Sequence, residues 1–172
     1  MEKKDLKKDY IDLFHERYIE KFSKKDKPLF SIIEFNLHGS CSRRCAFCPR
    51  VDESVWPNLD EELDMDLFDK ILGELKDLEY TGRLSFSGFS EPFMHSKLNE
   101  IIKKISKELP DARSEIVTNG DFLKLDNTKK IFEDGLKYLF VSLYTNKKTH
   151  DYLIKLKKDL KLNDDQFKIR PR

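Results

Sequence analysis

Cysteine is scarce in this chain and confined to one place. There are 3 in 172 residues, Cys41, Cys45 and Cys48. An odd number packed so tightly cannot make a disulfide framework. Long apolar runs are missing as well. Leu139 to Leu143 is typical, and Ser142 interrupts it. A transmembrane helix needs about 20 apolar residues, so none is expected. The N-terminus is rich in Lys and Asp and lacks the apolar core of a signal peptide, which makes a cytoplasmic location the expectation. Nor does charge of one sign dominate. Lys and Arg total 33, Asp and Glu 32, and the formal net charge is +1. That balance gives no reason to expect nucleic acid or a membrane surface as a partner.

What is present reads as a globular domain with a heavily solvated surface: 38% of residues are apolar and 38% charged. A length of 172 residues suits one domain and leaves little room for a second. Over residues 1–27, Leu6, Tyr10, Leu13, Phe14, Tyr18, Ile19 and Phe22 recur at helical intervals, predicting an amphipathic N-terminal helix. Pro28 closes it, and Leu29 to Leu37 reads as a buried strand running into Gly39-Ser40-Cys41. Asp66 looks like the N-cap of a helix carrying Leu67, Phe68, Ile71, Leu72, Leu75 and Leu78. Then follow a strand at Leu84–Ser87, a helix at Ser96–Leu109, a strand at Ser114–Thr118 and a helix at Thr128–Asp134 with Gly135 as its C′ residue. A strand at Tyr138–Tyr144, a helix at Thr149–Leu162 and a last strand at Gln166–Arg170 complete the pattern.

Alternating strands and helices with short links imply an α/β fold with a parallel sheet and right-handed crossovers. Periodicity alone does not separate an open doubly wound sheet from a barrel. In both, functional residues sit at the C-terminal ends of strands, and the cysteine segment falls there. Three thiolates on one loop can serve one face of an iron–sulfur cluster, which usually takes four protein ligands. Three leave one iron open to another ligand, as open catalytic zinc sites are open. A compact zinc site with His38 as fourth ligand is the competing reading, although zinc ligands more often come as two separated pairs.

The spacing Cys41-x3-Cys45-x2-Cys48, with Phe47 just before the third cysteine and a strand before the first, resembles the signature of the radical S-adenosylmethionine superfamily. The resemblance implies one 4Fe-4S cluster held by Cys41, Cys45 and Cys48, with the fourth iron chelated by S-adenosylmethionine. It implies reductive cleavage of that cofactor to a 5′-deoxyadenosyl radical, which abstracts hydrogen from a substrate. The chemistry is the cofactors'; the protein positions them and excludes water. An electron donor such as a flavodoxin or ferredoxin is the partner this chemistry calls for. The implied fold is a partial, incomplete TIM-type barrel spanning 28–172 behind the N-terminal helix.

Further segments carry the resemblance. Ser87-Gly88-Phe89-Ser90-Glu91-Pro92-Phe93-Met94-His95 is similar to the family's glycine-rich Gly-Glu-Pro segment, with Ser90 where glycine is usual. It implies Gly88, Ser90 and Glu91 as cofactor contacts; His95 reads as a packing or capping residue. Val117-Thr118-Asn119-Gly120 implies Thr118 and Asn119 at the cavity mouth. Ser142, polar within an apolar strand, is implied to face the ribose, Arg170 to pair with the methionine carboxylate, and Phe47 to contact the cofactor. The family core usually has six β-α units, whereas four and one extra strand are counted here. Two expectations follow: a radical enzyme acting on a peptide or sugar-linked molecule, or a cluster-binding chain that is a catalytically incomplete fragment or partner subunit.

Overall fold

A computed structural model describes residues 30–144 and 146–171. The predicted N-terminal helix over 1–27 lies outside the described residues. Five strands form one sheet: β1 (Ile32–Phe35), β2 (Arg83–Phe86), β3 (Arg113–Thr118), β4 (Tyr138–Leu143) and β5 (Phe167–Pro171). Four helices connect them: α1 (Met65–Asp77), α2 (Leu98–Glu108), α3 (Leu125–Glu133) and α4 (Lys147–Asp159). The strand order is β1-β2-β3-β4-β5, and every neighbouring pair is parallel.

That order decides what the periodicity left open. A doubly wound sheet reverses its strand order at a switch point and carries helices on both faces. Here the order never reverses, so right-handed crossovers put all four helices on one face. The other face is left to curve inward, as in a barrel. Among the described residues β1 and β5 do not pair, so the barrel is partial.

The two faces differ in chemistry because side chains alternate along a strand. Phe35, Leu84, Phe86, Ile116, Leu139, Val141, Leu143 and Phe167 form the helix-side core. Phe68, Leu72 and Leu75 of α1, the apolar stripe of α2 (Leu98, Ile101, Ile102, Ile105), Ile131 of α3, and Leu153 and Leu156 of α4 meet them. Each such side chain, fully buried, contributes about 1.5–3 kcal/mol. The inner face is polar. The register sets Glu34 beside Ser85, Ser85 beside Glu115, and Glu115 beside Tyr138. Arg83 reaches Glu115 at 3.4 Å, and Ser87 Oγ donates to Glu34 at 2.5 Å. Further toward the C-terminal ends, Ser142 sits beside Arg170.

Element boundaries shift by a few residues from their predicted positions. One shift has a clear cause. The N-cap of α1 is Asp64, not Asp66: Asp64 Oδ1 accepts from Asp66 N–H at 3.0 Å and Leu67 N–H at 2.9 Å. Gly135 follows α3 with φ +106°, as a C′ glycine requires. Among the described residues no helix is long and apolar enough to cross a membrane.

Candidate functional site

After β1 the chain leaves the sheet and returns to itself. Leu63 N–H donates to Leu37 C=O at 2.9 Å, Gly39 N–H to Glu61 C=O at 2.7 Å, and Leu59 N–H to Gly39 C=O at 3.1 Å. Residues 40–58 are therefore an excursion with a paired neck, and all three cysteines lie on it. Gly39 is needed at the neck, since a Cβ there would meet Leu59 O at 2.6 Å. Ser40 Oγ donates to Leu59 C=O at 2.7 Å, and Cys41 N–H to Asn58 Oδ1 at 3.2 Å. Cys48 N–H closes on Cys45 C=O at 2.9 Å, just before the short 3₁₀ turn Pro49–Val51.

The three thiols are free and half-buried. All three open on one cavity of about 190 Å³ at the C-terminal ends of β2, β3 and β4. Every residue expected to contact the cluster or S-adenosylmethionine lines it except Arg170: Phe47, Gly88, Ser90, Glu91, Asn119 and Ser142 join the cysteines. A second cavity of about 490 Å³ shares Arg43, Cys45, Phe47 and Tyr144 with the first, so the two adjoin. The Phe47 and Tyr144 rings, 5.3 Å apart, form an aromatic wall between them. Another cavity, about 500 Å³, lies behind the loop against His38, Arg50 and Trp56 and contains no thiol.

Glu91 organises the site from below. Its carboxylate accepts from Thr118 Oγ1 at 2.7 Å, Asn119 N–H at 2.9 Å and Phe93 N–H at 3.2 Å. Burial pushes this carboxyl up from its ordinary value, while those three donors pull it down. The side chain thus faces the end of β3 and fastens the glycine-containing loop to it. Gly88 in that loop has φ +87°, and a Cβ there would meet Asn36 Oδ1 at 2.4 Å. The Asn36 amide occupies that space and its Oδ1 accepts from Phe89 N–H at 3.0 Å, while Gly88 itself stays exposed.

Asn119 carries the connection to the cysteines. Its Oδ1 accepts from Asp121 N–H at 2.9 Å, which fixes the amide orientation and turns the NH₂ group toward the loop. Nδ2 donates to Ser42 Oγ at 2.9 Å and points at Cys41 Sγ at 3.7 Å. Asp121 accepts from Ser42 Oγ at 3.2 Å and from Arg43 Nε at 2.7 Å. The Arg43 guanidinium holds the Asp121 carboxyl below the usual aspartate range. Burial pushes the Cys41 thiol up, and burial together with Cys41 does the same to Cys45. Thiols that resist ionising alone lose their protons when a metal binds them.

His38 does not join this group. Its Nδ1 accepts from Ser40 N–H at 3.0 Å, and its Nε2 lies 3.8 Å from Asp60. A compact Cys-and-His38 zinc site therefore has no support from the geometry. Among the described residues no three His, Cys, Asp or Glu side chains converge on a point suited to one metal ion. Three soft sulfurs distributed around one cavity suit an iron–sulfur cluster better, since there each sulfur binds its own iron. His95 is a capping residue: its ring takes Lys97 N–H at 3.1 Å on Nδ1 and sets Nε2 3.1 Å from Leu63 C=O.

The family model of the radical SAM superfamily matches residues 35–162, from the last residue of β1 through α4, and includes the whole cysteine loop. The chain belongs to the radical SAM superfamily. Radical SAM proteins use one 4Fe-4S cluster and S-adenosylmethionine, and membership brings both cofactors to this chain. An S-adenosyl-L-methionine-dependent 2-deoxy-scyllo-inosamine dehydrogenase of Niallia circulans is 31% identical over 121 residues, 70% of this chain and 47% of that protein. A GTP 3′,8-cyclase of Clostridium perfringens is 28% identical over 117 residues, 67% of this chain and 35% of that protein. Among solved structures, BtrN in complex with AdoMet and 2-DOIA superposes with a TM-score of 0.72 at 27% identity, covering 85% of this chain and 58% of that one. BtrN in an open conformation gives 0.66 at 25% identity, covering 86% and 58%. The chain thus spans between 35% and 58% of the length of these relatives.

Arg170 stands apart from the other expected residues. It lies on β5 opposite Ser142 and does not line the thiol cavity. Three cavity or loop residues were not anticipated. Tyr144 was readable in principle, since it shares the face of Ser142 by strand alternation. Arg43 sits inside the cysteine segment and Arg50 just after it, but an arginine in a polar loop carries no signal of where it turns.

Proposed function

We propose that the chain holds one 4Fe-4S cluster on Cys41, Cys45 and Cys48 and uses it with S-adenosylmethionine to begin hydrogen abstraction from a polar, hydroxyl-bearing substrate of the sugar type. The observation that carries this reading is the shared cavity, where three free thiols meet the exposed backbone at Gly88, the small residues Ser90 and Ser142, and the Phe47–Tyr144 wall. Held by Cys41, Cys45 and Cys48, a cluster would supply the electron for reductive cleavage of S-adenosylmethionine to methionine and a 5′-deoxyadenosyl radical.

The chain's own residues bind and orient. Carbonyls at the Gly88–Ser90 strand end can receive an ammonium group, because no Cβ covers Gly88. Ser142 offers a hydroxyl to a ribose, and the Phe47 and Tyr144 rings offer a flat apolar surface to a purine. Asn119 and Asp121 hold the cysteine loop over the strand ends. Ser87, Glu34, Ser85 and Glu115 on the inner face supply donors and acceptors for a hydroxylated substrate. The dehydrogenase relative, named for a hydroxylated amine, favours this class over a peptide. The electron comes from a low-potential donor such as a flavodoxin or ferredoxin. The matched length, between 35% and 58% of these relatives, favours a second reading in which this chain supplies the cofactor part and other polypeptide completes substrate binding.

Anaerobic reconstitution with iron and sulfide tests the proposal. Wild-type protein is expected to bind four irons and to form 5′-deoxyadenosine with a reductant. Replacing Cys41, Cys45 or Cys48 by Ala is expected to abolish cleavage, and replacing His38 to leave iron content unchanged. A normal cluster and normal cleavage in Cys45→Ala would sink the ligand assignment. Cluster formation without 5′-deoxyadenosine would favour the second reading.

A further inference from the structure

Arg50 is an unusual residue for a loop. It is 3% exposed, yet no carboxylate lies within ion-pair distance of it among the described residues. Its partners are neutral. Nη1 donates to Pro57 C=O at 3.1 Å and Asn58 Oδ1 at 3.0 Å, Nε donates to Phe89 C=O, and the guanidinium lies 5.9 Å from the Trp56 ring centre. The acidic residues that line a cavity with Arg50 do not pair with it among the described residues: Glu62 accepts from Ser96 N–H and Oγ, and Glu61 makes no ion pair with the guanidinium. A buried charge without an opposite charge is expensive, and hydrogen bonds to carbonyls offset only part of that cost. A fold that merely needed a strut here could use a neutral amide.

The position of Arg50 supplies the missing partner. Asn58 Oδ1, which accepts from Arg50 Nη1 at 3.0 Å, also accepts from Cys41 N–H at 3.2 Å. The guanidinium therefore stands one shared acceptor away from the backbone of a cysteine on the cavity. Its other anchor, Phe89 C=O, belongs to the loop on the far side of that cavity. Arg50 itself lines the cavity behind the cysteine loop, and through Asn58 and Phe89 it ties together two segments that line the thiol cavity.

We propose that Arg50 is the built-in counter-charge of the cluster, holding its reduction potential up and its negative charge in place. The inference rests on the cysteine ligation proposed above. A cluster on three thiolates is anionic, and it becomes more so when it accepts an electron. A buried cation nearby stabilises the reduced form more than the oxidised one, because few waters intervene to screen it. Asn119, through its N–H toward Cys41 Sγ, acts in the same direction from the opposite side, but as a dipole rather than a charge.

The test uses the full chain, wild type beside Arg50→Met and Arg50→Lys, before and after anaerobic reconstitution. Midpoint potentials come from mediated dithionite titration followed by electron paramagnetic resonance. Arg50→Met is expected to shift the reduction equilibrium at least tenfold toward the oxidised cluster, about 59 mV for a one-electron couple. Arg50→Lys, which keeps the charge and loses the fork of hydrogen bonds, is expected to stay closer to wild type than to Arg50→Met. Urea unfolding supplies the second readout: Arg50→Met should cost more stability in reconstituted than in cluster-free protein. An intact cluster with an unchanged potential in Arg50→Met would overturn the proposal. So would a potential that falls equally in Arg50→Lys and Arg50→Met, since geometry and not charge would then be at work. If Arg50→Met does not fold, Arg50→Gln carries the same expectation beside Arg50→Lys. Wild type that takes up no iron would remove the ligand assignment and this inference with it, whereas the potentials remove only the inference.

Discussion

Glu91 shows how much a single side chain can organise. One of its oxygens takes Thr118 Oγ1 and Phe93 N–H, and the other takes Asn119 N–H. Replacement by Gln looks conservative but fails in both orientations. An amide nitrogen at the first oxygen's place faces Phe93 N–H, and at the second's it faces Asn119 N–H. Either way a buried donor meets a donor, which costs about 1–3 kcal/mol. Glu91→Gln is therefore expected to lower the urea midpoint of cluster-free protein and to weaken cluster retention, because Asn119 loses its anchor. Unchanged values for both would show that the clamp is dispensable. Legibility at this scale was uneven. The spacing of the cysteines named them, and a glycine beside a strand end marked Gly88. The direction in which Glu91 points had no sequence signal. The resemblance suggested a cofactor contact, whereas its carboxylate turns toward the backbone of β3. Arg50 was equally silent, because burial of a loop arginine depends on carbonyls brought from residues 57 and 89.

At the scale of elements, the reading by periodicity located the five described strands and four α-helices, shifted at their ends, and did not mark the 3₁₀ turns Pro49–Val51 and Pro92–Met94. The start of α1 is instructive. The cap expected from sequence was Asp66, and the cap observed is Asp64, two residues earlier. Asp64 takes two orphan N–H groups, those of Asp66 and Leu67, whereas Asp66 lies inside the first turn. Asp64→Ala is expected to cost about 1 kcal/mol of stability. Asp66→Ala loses only an exposed interaction with the helix macrodipole, about 0.3 kcal/mol. Denaturant melts of the two variants check this, and equal losses would contradict the cap assignment. The helix stripes were clearer than the ends because burial selects them: Ile101, Ile102 and Ile105 of α2 face the sheet at intervals that only a helix provides. Strand order was not legible, since nothing local records which strand pairs with which. The unreversed order of five parallel strands had to be seen, and it alone separates a barrel-like sheet from a doubly wound one.

Across the whole molecule, the cysteine loop is tied to three strand ends by protein contacts alone. Its neck pairs with residues 59–63 after β1, Arg50 reaches the β2 loop at Phe89, and Ser42 and Arg43 reach Asp121 after β3. Few apolar residues pack within the loop, which on sequence grounds would leave its order to the cluster. The polar ties argue for a loop largely formed before any metal arrives. Acid should release it. The Asp121 carboxyl is held low by the Arg43 guanidinium in the folded state, so the folded protein binds a proton there less readily than the unfolded chain does. A lowered folded value gives stabilisation that is fully present above the unfolded aspartate value, about 3.9, and is lost as pH falls through the lower folded one. Trp56 is the only tryptophan and lies with its ring centre 4.9 Å from that of Phe89, tilted against it, so its emission reports the loop. In cluster-free protein the emission is expected to stay constant from neutral pH down to about pH 4 and then to change as the clamp opens. Asp121→Asn is expected to show the released emission already at neutral pH, and to lose the acid step that wild type retains. Wild-type emission at neutral pH that matches Asp121→Asn would mean that the loop is loose without its cluster, and that the metal, not the Arg43–Asp121 pair, brings it to the strand ends.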